Sequence, residues 1–134
     1  MAHAGPTARR PGAVCPQGLA AAEYLADHYA EAPVWIVPCM ASATPTRTTG
    51  SSIYPAVQNM LLAARALGLG ATLTTLYLQF EKEAEQAMVL PPDVHSYAIL
   101  PLGYPMGRFG SVRRSAPADM VYEDRWGQSY QGTR

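Results

Sequence analysis

Apolar and polar residues follow one another in blocks along the chain, and the spacing inside each block predicts an element. From Leu19, small and apolar residues recur at helical spacing as far as Pro33, where proline disfavours helical backbone in the residue before it. The continuous apolar run at residues 34–41 predicts a strand that is buried on both faces. Because Pro38 cannot donate to a strand ladder, we expect a bulge, an edge or an early end there.

The clearest helix pattern follows a polar loop. Either Ser51 or Ser52 is the expected N-cap, and Pro55 then falls in the first turn, where its missing N–H does no harm. Apolar residues spaced three and four apart form one face of this helix, and they are Ile53, Val57, Met60, Leu61, Ala64 and Leu67. Gly68 suits the left-handed position that follows a helix, with Leu69 as the hydrophobic contact that accompanies it.

Two further strands are predicted around a short charged helix. Residues 71–77, which are rich in threonine, and residues 96–103 have strand composition. Residues 81–88 have a helix pattern that ends before two prolines. Helices and strands therefore alternate, which predicts an α/β or α+β fold with a central sheet. A length of 134 residues fits one domain with a core of its own.

Charge and cysteine content exclude several classes of protein. Ten basic and ten acidic residues cancel to a net charge of zero, so no field attracts nucleic acid or an anionic membrane surface. Two cysteines, Cys15 and Cys39, supply no disulfide framework, and a reducing compartment is expected. No apolar run reaches the roughly 20 residues of a membrane span. We therefore predict a cytoplasmic protein with no nucleic-acid and no membrane partner.

The side chains that usually carry catalysis are scattered along the chain. Neither a G-x-S-x-G elbow nor a G-x-G-x-x-G motif is present. Three histidines lack the spacing of metal ligands, so we expect no metal site; they are His3, His28 and His95. Three acidic residues are expected on a solvated helix face, and they are Glu81, Glu83 and Glu85. With no catalytic side chain, the pattern is typical of enzymes whose cofactor carries the chemistry.

A loop rich in glycine and arginine follows the last predicted strand. Its glycines let the backbone turn tightly and approach a ligand, and they are Gly103, Gly107 and Gly110. Its arginines offer planar forks that suit phosphate, and they are Arg108, Arg113 and Arg114. The residues alone leave two interpretations open, an anion-binding loop or a surface loop with solvated charges.

Three segments together resemble the FMN-dependent nitroreductase family. They are "SSIYPAVQNMLLAARALGLGATLTT", "LPPDVHSYAILPLGYPMGRFGSVRR" and "VYEDRWG", and the resemblance runs from about Ala21 to Gly127. It implies an α+β fold, an α/β/α sandwich in which helices flank a mixed sheet. It also implies a cytoplasmic homodimer with two FMN molecules at its interface. NAD(P)H would be the electron donor, and a nitroaromatic, a quinone or a similar small molecule would be the acceptor.

The resemblance also implies cofactor-binding residues. Four of them would pass along the flavin ring, where a backbone N–H would meet flavin N5, and they are Leu73, Thr74, Thr75 and Leu76. A threonine hydroxyl would add a hydrogen bond. Arg114 takes the position of the family's phosphate arginine, with Arg113 as the alternative, although residues 115–117 depart from the family's motif. No catalytic side chain and no metal are implied.

The same resemblance predicts how the chain is divided. The helix at residues 53–68 would lie at the dimer core, and the tail at residues 118–134 would cross onto the partner subunit with Trp126 as its anchor. The family's Arg-Ser-x-Arg motif has no counterpart near the start. We therefore expect a disordered or non-family start over residues 1–18 and the C-terminal portion of a nitroreductase-like domain over residues 19–134.

Three functions are compatible with this sequence. The first is a flavin oxidoreductase, active as this chain or as part of a longer product. The second is a truncated, non-catalytic remnant, a dimerising module that binds flavin weakly or not at all. The third is a regulatory domain that binds a small anion, and it depends on the arginine loop alone.

Overall fold

The computed structural model describes residues 16–112, 114–117, 120–128 and 130, with side chains from Leu19 onward. The helices within this part are α1 (Pro16–His28), α2 (Arg47–Ala66) and α3 (Glu81–Ala87), with 3₁₀ helices at Tyr29–Glu31 and Leu76–Phe80. The strands are β1 (Val34–Ile36), β2 (Cys39–Ala41), β3 (Gly70–Ala71), β4 (Val94–Ser96) and β5 (Leu100–Gly103). The α+β class is therefore confirmed. Disorder was expected over residues 1–18. Residues 1–15 lie outside the described part of the chain, and α1 begins at Pro16.

The strands form two small antiparallel sheets. In the first sheet β5 lies between β1 and β3, with Val34 opposite Leu102 and Gly70 opposite Gly103. In the second, β2 pairs with β4. The pairings between described strands are all antiparallel, so the parallel pairs of a mixed sheet are not among them.

The apolar run at residues 34–41 forms two strands rather than one. The chain leaves the first sheet after Ile36 and joins the second at Cys39, and the Pro38 carbonyl between them accepts from the Tyr97 N–H at 3.0 Å. The interruption expected at Pro38 is confirmed. Burial on both faces is wrong, because about half of the Val34 side chain is exposed.

Helix α2 begins earlier than its serines predict. Thr46 is the N-cap, because its hydroxyl accepts from the Thr49 N–H at 3.3 Å. The Thr49 hydroxyl in turn accepts from the Thr46 N–H at 3.2 Å. This reciprocal capping box satisfies two of the backbone donors that a helix start leaves without partners, so the helix is established before either serine is reached.

The predicted N-cap at Ser51 or Ser52 is therefore wrong. Both residues lie inside α2, where their hydroxyls donate to the carbonyls of Arg47 at 2.9 Å and Thr48 at 3.2 Å. Pro55 likewise lies within the helix and not in its first turn. Hydroxyl bonds to the preceding turn are a known mid-helix arrangement of serine, so these residues do not mark an end.

The end of α2 is as predicted. Gly68 has a φ of +76°, and its N–H donates to the Arg65 carbonyl at 3.1 Å. The Leu69 N–H donates to the Ala64 carbonyl at 2.9 Å. These two bonds form a Schellman motif, in which glycine takes the left-handed position.

The core lies between α2 and the chain that links β4 to β5. Its buried aliphatic side chains come from α2, from that link and from the first residue of β5, and they are Ile53, Val57, Ala64, Ala98, Ile99 and Leu100. The predicted apolar face of α2 is therefore only partly buried, because Met60 and Leu67 are exposed. No helix in the described ranges combines the length and the apolar character that crossing a membrane requires.

Candidate functional site

Residues 73–76, called the Thr74 edge from here on, pair with the core through Thr74 alone and carry backbone N–H groups without an acceptor. Thr74 is buried, its N–H donates to the Ile99 carbonyl at 3.0 Å, and its carbonyl accepts from the Ile99 N–H at 3.0 Å. In extended backbone the neighbouring N–H groups face the opposite side. Those of Leu73 and Thr75 have no acceptor among the described residues, so they remain available to a ligand.

The strand predicted for residues 71–77 is wrong beyond Ala71, apart from the Thr74 bridge. Thr75 has a φ of −128° and a ψ of 8°, which ends the extended backbone, and the 3₁₀ helix begins at Leu76. The Leu76 N–H approaches the Thr74 hydroxyl at 3.4 Å. Threonine side chains compete with strand ladders in this way. Of the two threonine hydroxyls, the one on Thr75 is exposed and therefore open to a ligand.

An apolar cavity of about 210 Å³ adjoins this edge. It lies between α1, the first 3₁₀ helix and the edge itself, and its lining consists of Leu25, Ala26, Tyr29, Thr74, Leu76 and Tyr77. Pockets that enclose a drug-sized ligand usually measure roughly 300–1,000 Å³. The cavity is therefore large enough to contribute an apolar wall, but not a complete pocket.

Two buried phenols border the cavity. The hydroxyls of Tyr29 and Tyr77 have no hydrogen-bond partner within the described part of the chain. Burial, together with the neighbouring Tyr77, raises the pKa of Tyr29 to about 12. Burial is also the main cause that raises the pKa of Tyr77, and Ser96 opposes it without reaching hydrogen-bond geometry. Both phenols therefore stay neutral at pH 7.

The arginine loop is exposed. Arg108 and Arg114 lie on the surface, and neither forms an ion pair with another described residue. Arg113 lies outside the described residues. The Arg65 guanidinium stacks over the Phe109 ring at 3.3 Å, which holds the loop against the end of α2. No hydrogen bond joins Arg114 to the Thr74 edge, so its predicted role in binding phosphate stays a prediction.

A polar cluster that the sequence did not predict lies between α3 and β4. Glu81, Glu85 and His95, called the Glu85 cluster, bring their potential ligand atoms within 4.8 Å of one another. The Glu85 side chain is only 15% exposed, and one of its oxygens accepts from the Ser96 N–H at 2.8 Å. The expectation of a solvated face is therefore wrong for Glu85. The i, i+4 spacing of the two glutamates was visible in sequence, but the approach of β4 was not.

Comparison with known proteins identifies relatives of one kind. The family model described as Nitroreductase family matches residues 3–104, which is most of the chain. A candidate NADH dehydrogenase/NAD(P)H nitroreductase of Methanothermobacter thermautotrophicus is 34% identical over 101 residues, which are 72% of this chain and 52% of that protein.

Solved structures show the same likeness. A candidate NADH dehydrogenase/NAD(P)H nitroreductase from Parabacteroides distasonis superposes with a TM-score of 0.60 at 26% identity, over 69% of this chain and 55% of that one. A nitroreductase-like protein from Desulfovibrio desulfuricans, solved in complex with FMN, gives a TM-score of 0.57 at 28% identity, over 69% and 55%. The chain thus spans about half the length of the relatives that it matches.

Proposed function

The chain belongs to the Nitroreductase family, and from this premise we propose that it functions as an FMN-dependent oxidoreductase. NAD(P)H would be the donor, and a nitroaromatic, a quinone or a similar small molecule would be the acceptor. The observation that carries this proposal is the Thr74 edge, where the N–H groups of Leu73 and Thr75 have no acceptor among the described residues and where Thr74 and Leu76 line an apolar cavity. The relative solved with FMN supports the choice of cofactor.

The residues at the Thr74 edge fit a flavin in their chemistry. A flavin is a flat apolar ring system with nitrogen and oxygen acceptors along its edge, so it needs backbone donors beside an apolar wall. Leu73 and Thr75 offer the donors, and Leu76 and Leu25 belong to the wall. When bound, FMN supplies the electron transfer between donor and acceptor, and the protein supplies binding, orientation and electrostatics.

The residues near the proposed flavin site then have separate roles. The Thr75 N–H holds the polar edge of the ring, and its exposed hydroxyl offers a second donor. The neutral phenols of Tyr29 and Tyr77 keep charge out of the adjoining cavity. Arg114, which is exposed and has no ion-pair partner among the described residues, is proposed to bind the FMN phosphate. Arg113 is the alternative for that role.

A homodimer is also proposed, with α2 and the C-terminal tail at its interface. One face of α2 packs on the protomer's own core, whereas Leu62, Ala63 and Leu67 remain exposed. Trp126 is 90% exposed and contacts Tyr122 with the two rings tilted by 50° and their centroids 4.7 Å apart. Apolar side chains of this size gain burial when a second copy covers them.

Titration of the purified chain with FMN, followed by quenching of flavin fluorescence, tests the proposed function. Thr75→Pro deletes the N–H, and Thr75→Ala is the matched control that keeps it. Loss of one donor to a buried acceptor costs about 1–3 kcal/mol, so Thr75→Pro should weaken FMN roughly 5- to 150-fold. Thr75→Ala keeps the N–H and loses only the exposed hydroxyl, so it should weaken FMN less than Thr75→Pro does.

Circular dichroism checks that both variants are folded before their titrations are compared. If folded Thr75→Pro binds FMN as tightly as wild type, then the Thr75 N–H is not the flavin donor. A folded wild-type chain that binds no FMN refutes the proposed function and favours the non-catalytic dimerising module.

A further inference from the structure

We propose that the Glu85 cluster is a binding site for a divalent transition-metal ion of the Zn²⁺ class. Its ligands are one imidazole nitrogen from His95 and one carboxylate oxygen each from Glu81 and Glu85. The site does not depend on the flavin, because its side chains lie on α3 and β4 and not on the Thr74 edge.

The distances suit such an ion with little adjustment. Zinc bonds to nitrogen and oxygen measure about 2.0–2.2 Å, which places neighbouring ligand atoms of a tetrahedral site about 3.4 Å apart. His95 Nδ1 and Glu85 Oε2 are already 3.3 Å apart. A carboxylate oxygen of Glu81 lies within 4.8 Å of a ligand atom from each of the other two residues, so it needs to move by at most about 1.4 Å to reach the tetrahedral spacing, within the reach of a flexible glutamate rotamer.

The His95 nitrogen lacks the partner that such a buried atom requires. Nδ1 is buried and makes no hydrogen bond with a described residue. Glu85 Oε2 lies only 3.3 Å away, but the two atoms do not have the geometry of a hydrogen bond. Leaving a buried polar atom unsatisfied is unfavourable, and most such atoms in folded proteins have a partner. A metal ion between the imidazole and the carboxylates would satisfy the nitrogen and both oxygens together.

Glu85 is held as a metal ligand usually is. Its Oε1 accepts from the Ser96 N–H at 2.8 Å and lies 3.4 Å from the Ser96 hydroxyl, which leaves Oε2 facing His95. Hydrogen bonds of this kind orient a ligating carboxylate and raise its metal affinity. Glu81 lies one helical turn away on the same face of α3.

The donor set selects the class of ion. One imidazole and two carboxylates suit zinc and its neighbours in the first transition row, whereas magnesium and calcium prefer oxygen alone. Three protein ligands leave a fourth position for water or another small ligand, as in catalytic zinc sites. Co²⁺ takes the same geometry and reports it in its visible absorption.

Glu81 distinguishes a metal site from a purely structural network. Glu85 and His95 have structural contacts whether or not a metal binds, because Glu85 bonds to Ser96 at the end of β4 and lies 3.3 Å from His95. The Glu81 side chain makes no hydrogen bond or ion pair with any described residue. Its removal therefore should leave the fold unchanged and affect the metal alone.

The test is a competition titration of the full chain with Zn²⁺ against a chromophoric chelator, without flavin. Wild type should bind one Zn²⁺ at this site. Glu81→Gln and His95→Gln should each weaken that binding at least tenfold, since even changes to residues behind the ligands cost 10- to 100-fold. Glu83→Gln, a solvent-exposed neighbour on the same helix, is the matched control and should bind as wild type.

Thermal unfolding and Co²⁺ absorption supply the second readout. Zn²⁺ should raise the melting temperature of wild type and of Glu83→Gln but not of Glu81→Gln, because a ligand stabilises the state that binds it. Co²⁺ should give tetrahedral bands that Glu81→Gln loses. Zinc binding that is unchanged in Glu81→Gln would overturn the proposal, since the ion would then lie elsewhere, for example at the His28–Glu31 pair. A folded wild type without zinc affinity would overturn it as well.

Discussion

Replacing Val89 with glycine should stabilise the protein. Val89 follows α3 in the same Schellman geometry as Gly68. Its N–H donates to the backbone carbonyl of Gln86 at 3.0 Å, and the Leu90 N–H donates to the backbone carbonyl of Glu85 at 3.0 Å. This position requires a φ of +56°. A β-branched residue is strongly disfavoured there, and the left-handed conformation costs an L-residue about 1–2 kcal/mol.

The magnitude follows from what the valine loses and gains. Its side chain is 85% exposed, so almost no burial is lost when it is removed. Glycine costs about 0.5–1 kcal/mol more backbone entropy on folding. The net gain for Val89→Gly is therefore about 0.5–1 kcal/mol in the free energy of unfolding, which corresponds to a rise of about 2–4 °C in melting temperature for a domain of this size.

Thermal and urea unfolding, followed by circular dichroism, measure this change. The urea midpoint should rise while the m-value stays constant, which separates a change in stability from a change in the compactness of the unfolded state. Gly68→Ala is the reciprocal control, because φ there is +76° and an added Cβ meets no atom within 4 Å; it should lower the melting temperature. A melting temperature of Val89→Gly equal to or below wild type would refute the proposed strain at this helix end.

Three further predictions concern the ligand, the dimer and pH. Arg114→Ala should weaken FMN by about 1.5–3 kcal/mol, the usual worth of a hydrogen bond to a charged group, whereas Arg108→Ala should not; equal titrations for both would remove Arg114 from the site. Ala63→Glu should give folded monomers in light scattering, and Ala64→Glu should unfold the protomer because Ala64 is 4% exposed; a normal dimer of Ala63→Glu would exclude that face. Burial raises the pKa of Tyr29 to about 12, above its unfolded value of about 10. The contribution of the neutral phenol to the free energy of unfolding is therefore complete below about pH 10 and is lost as the pH rises through about 12. Tyr29→Phe should flatten the alkaline loss in pH-dependent unfolding, and an unchanged profile would contradict this assignment.

Local signals predicted several elements of the fold well. Gly68 marks the end of α2 because only a residue without a Cβ adopts its φ at no steric cost. Pro38 interrupts its strand because it has no N–H to donate. The start of α2 was misjudged, since two serines offered the same capping chemistry as Thr46, and only the reciprocal bond with Thr49 distinguishes them.

Tertiary contacts explain what the sequence pattern missed. The Thr74 edge has strand composition, but Ile99 pairs with one residue of it only, and the chain then turns into a 3₁₀ helix. Glu85 belongs to a short charged helix, and its burial depends on Ser96 and His95 arriving from β4. The candidate flavin segment itself was identified by resemblance, because its open donors belong to the backbone and leave no signal in residue type.

The most direct test of the proposed function is to incubate the purified chain with excess FMN and separate it by gel filtration with absorbance and light-scattering detection. We predict that the yellow flavin elutes with the protein, one FMN per subunit, at the mass of a dimer. A folded protein that elutes colourless would contradict FMN binding by this chain, and a coloured monomer would contradict the proposed dimeric site.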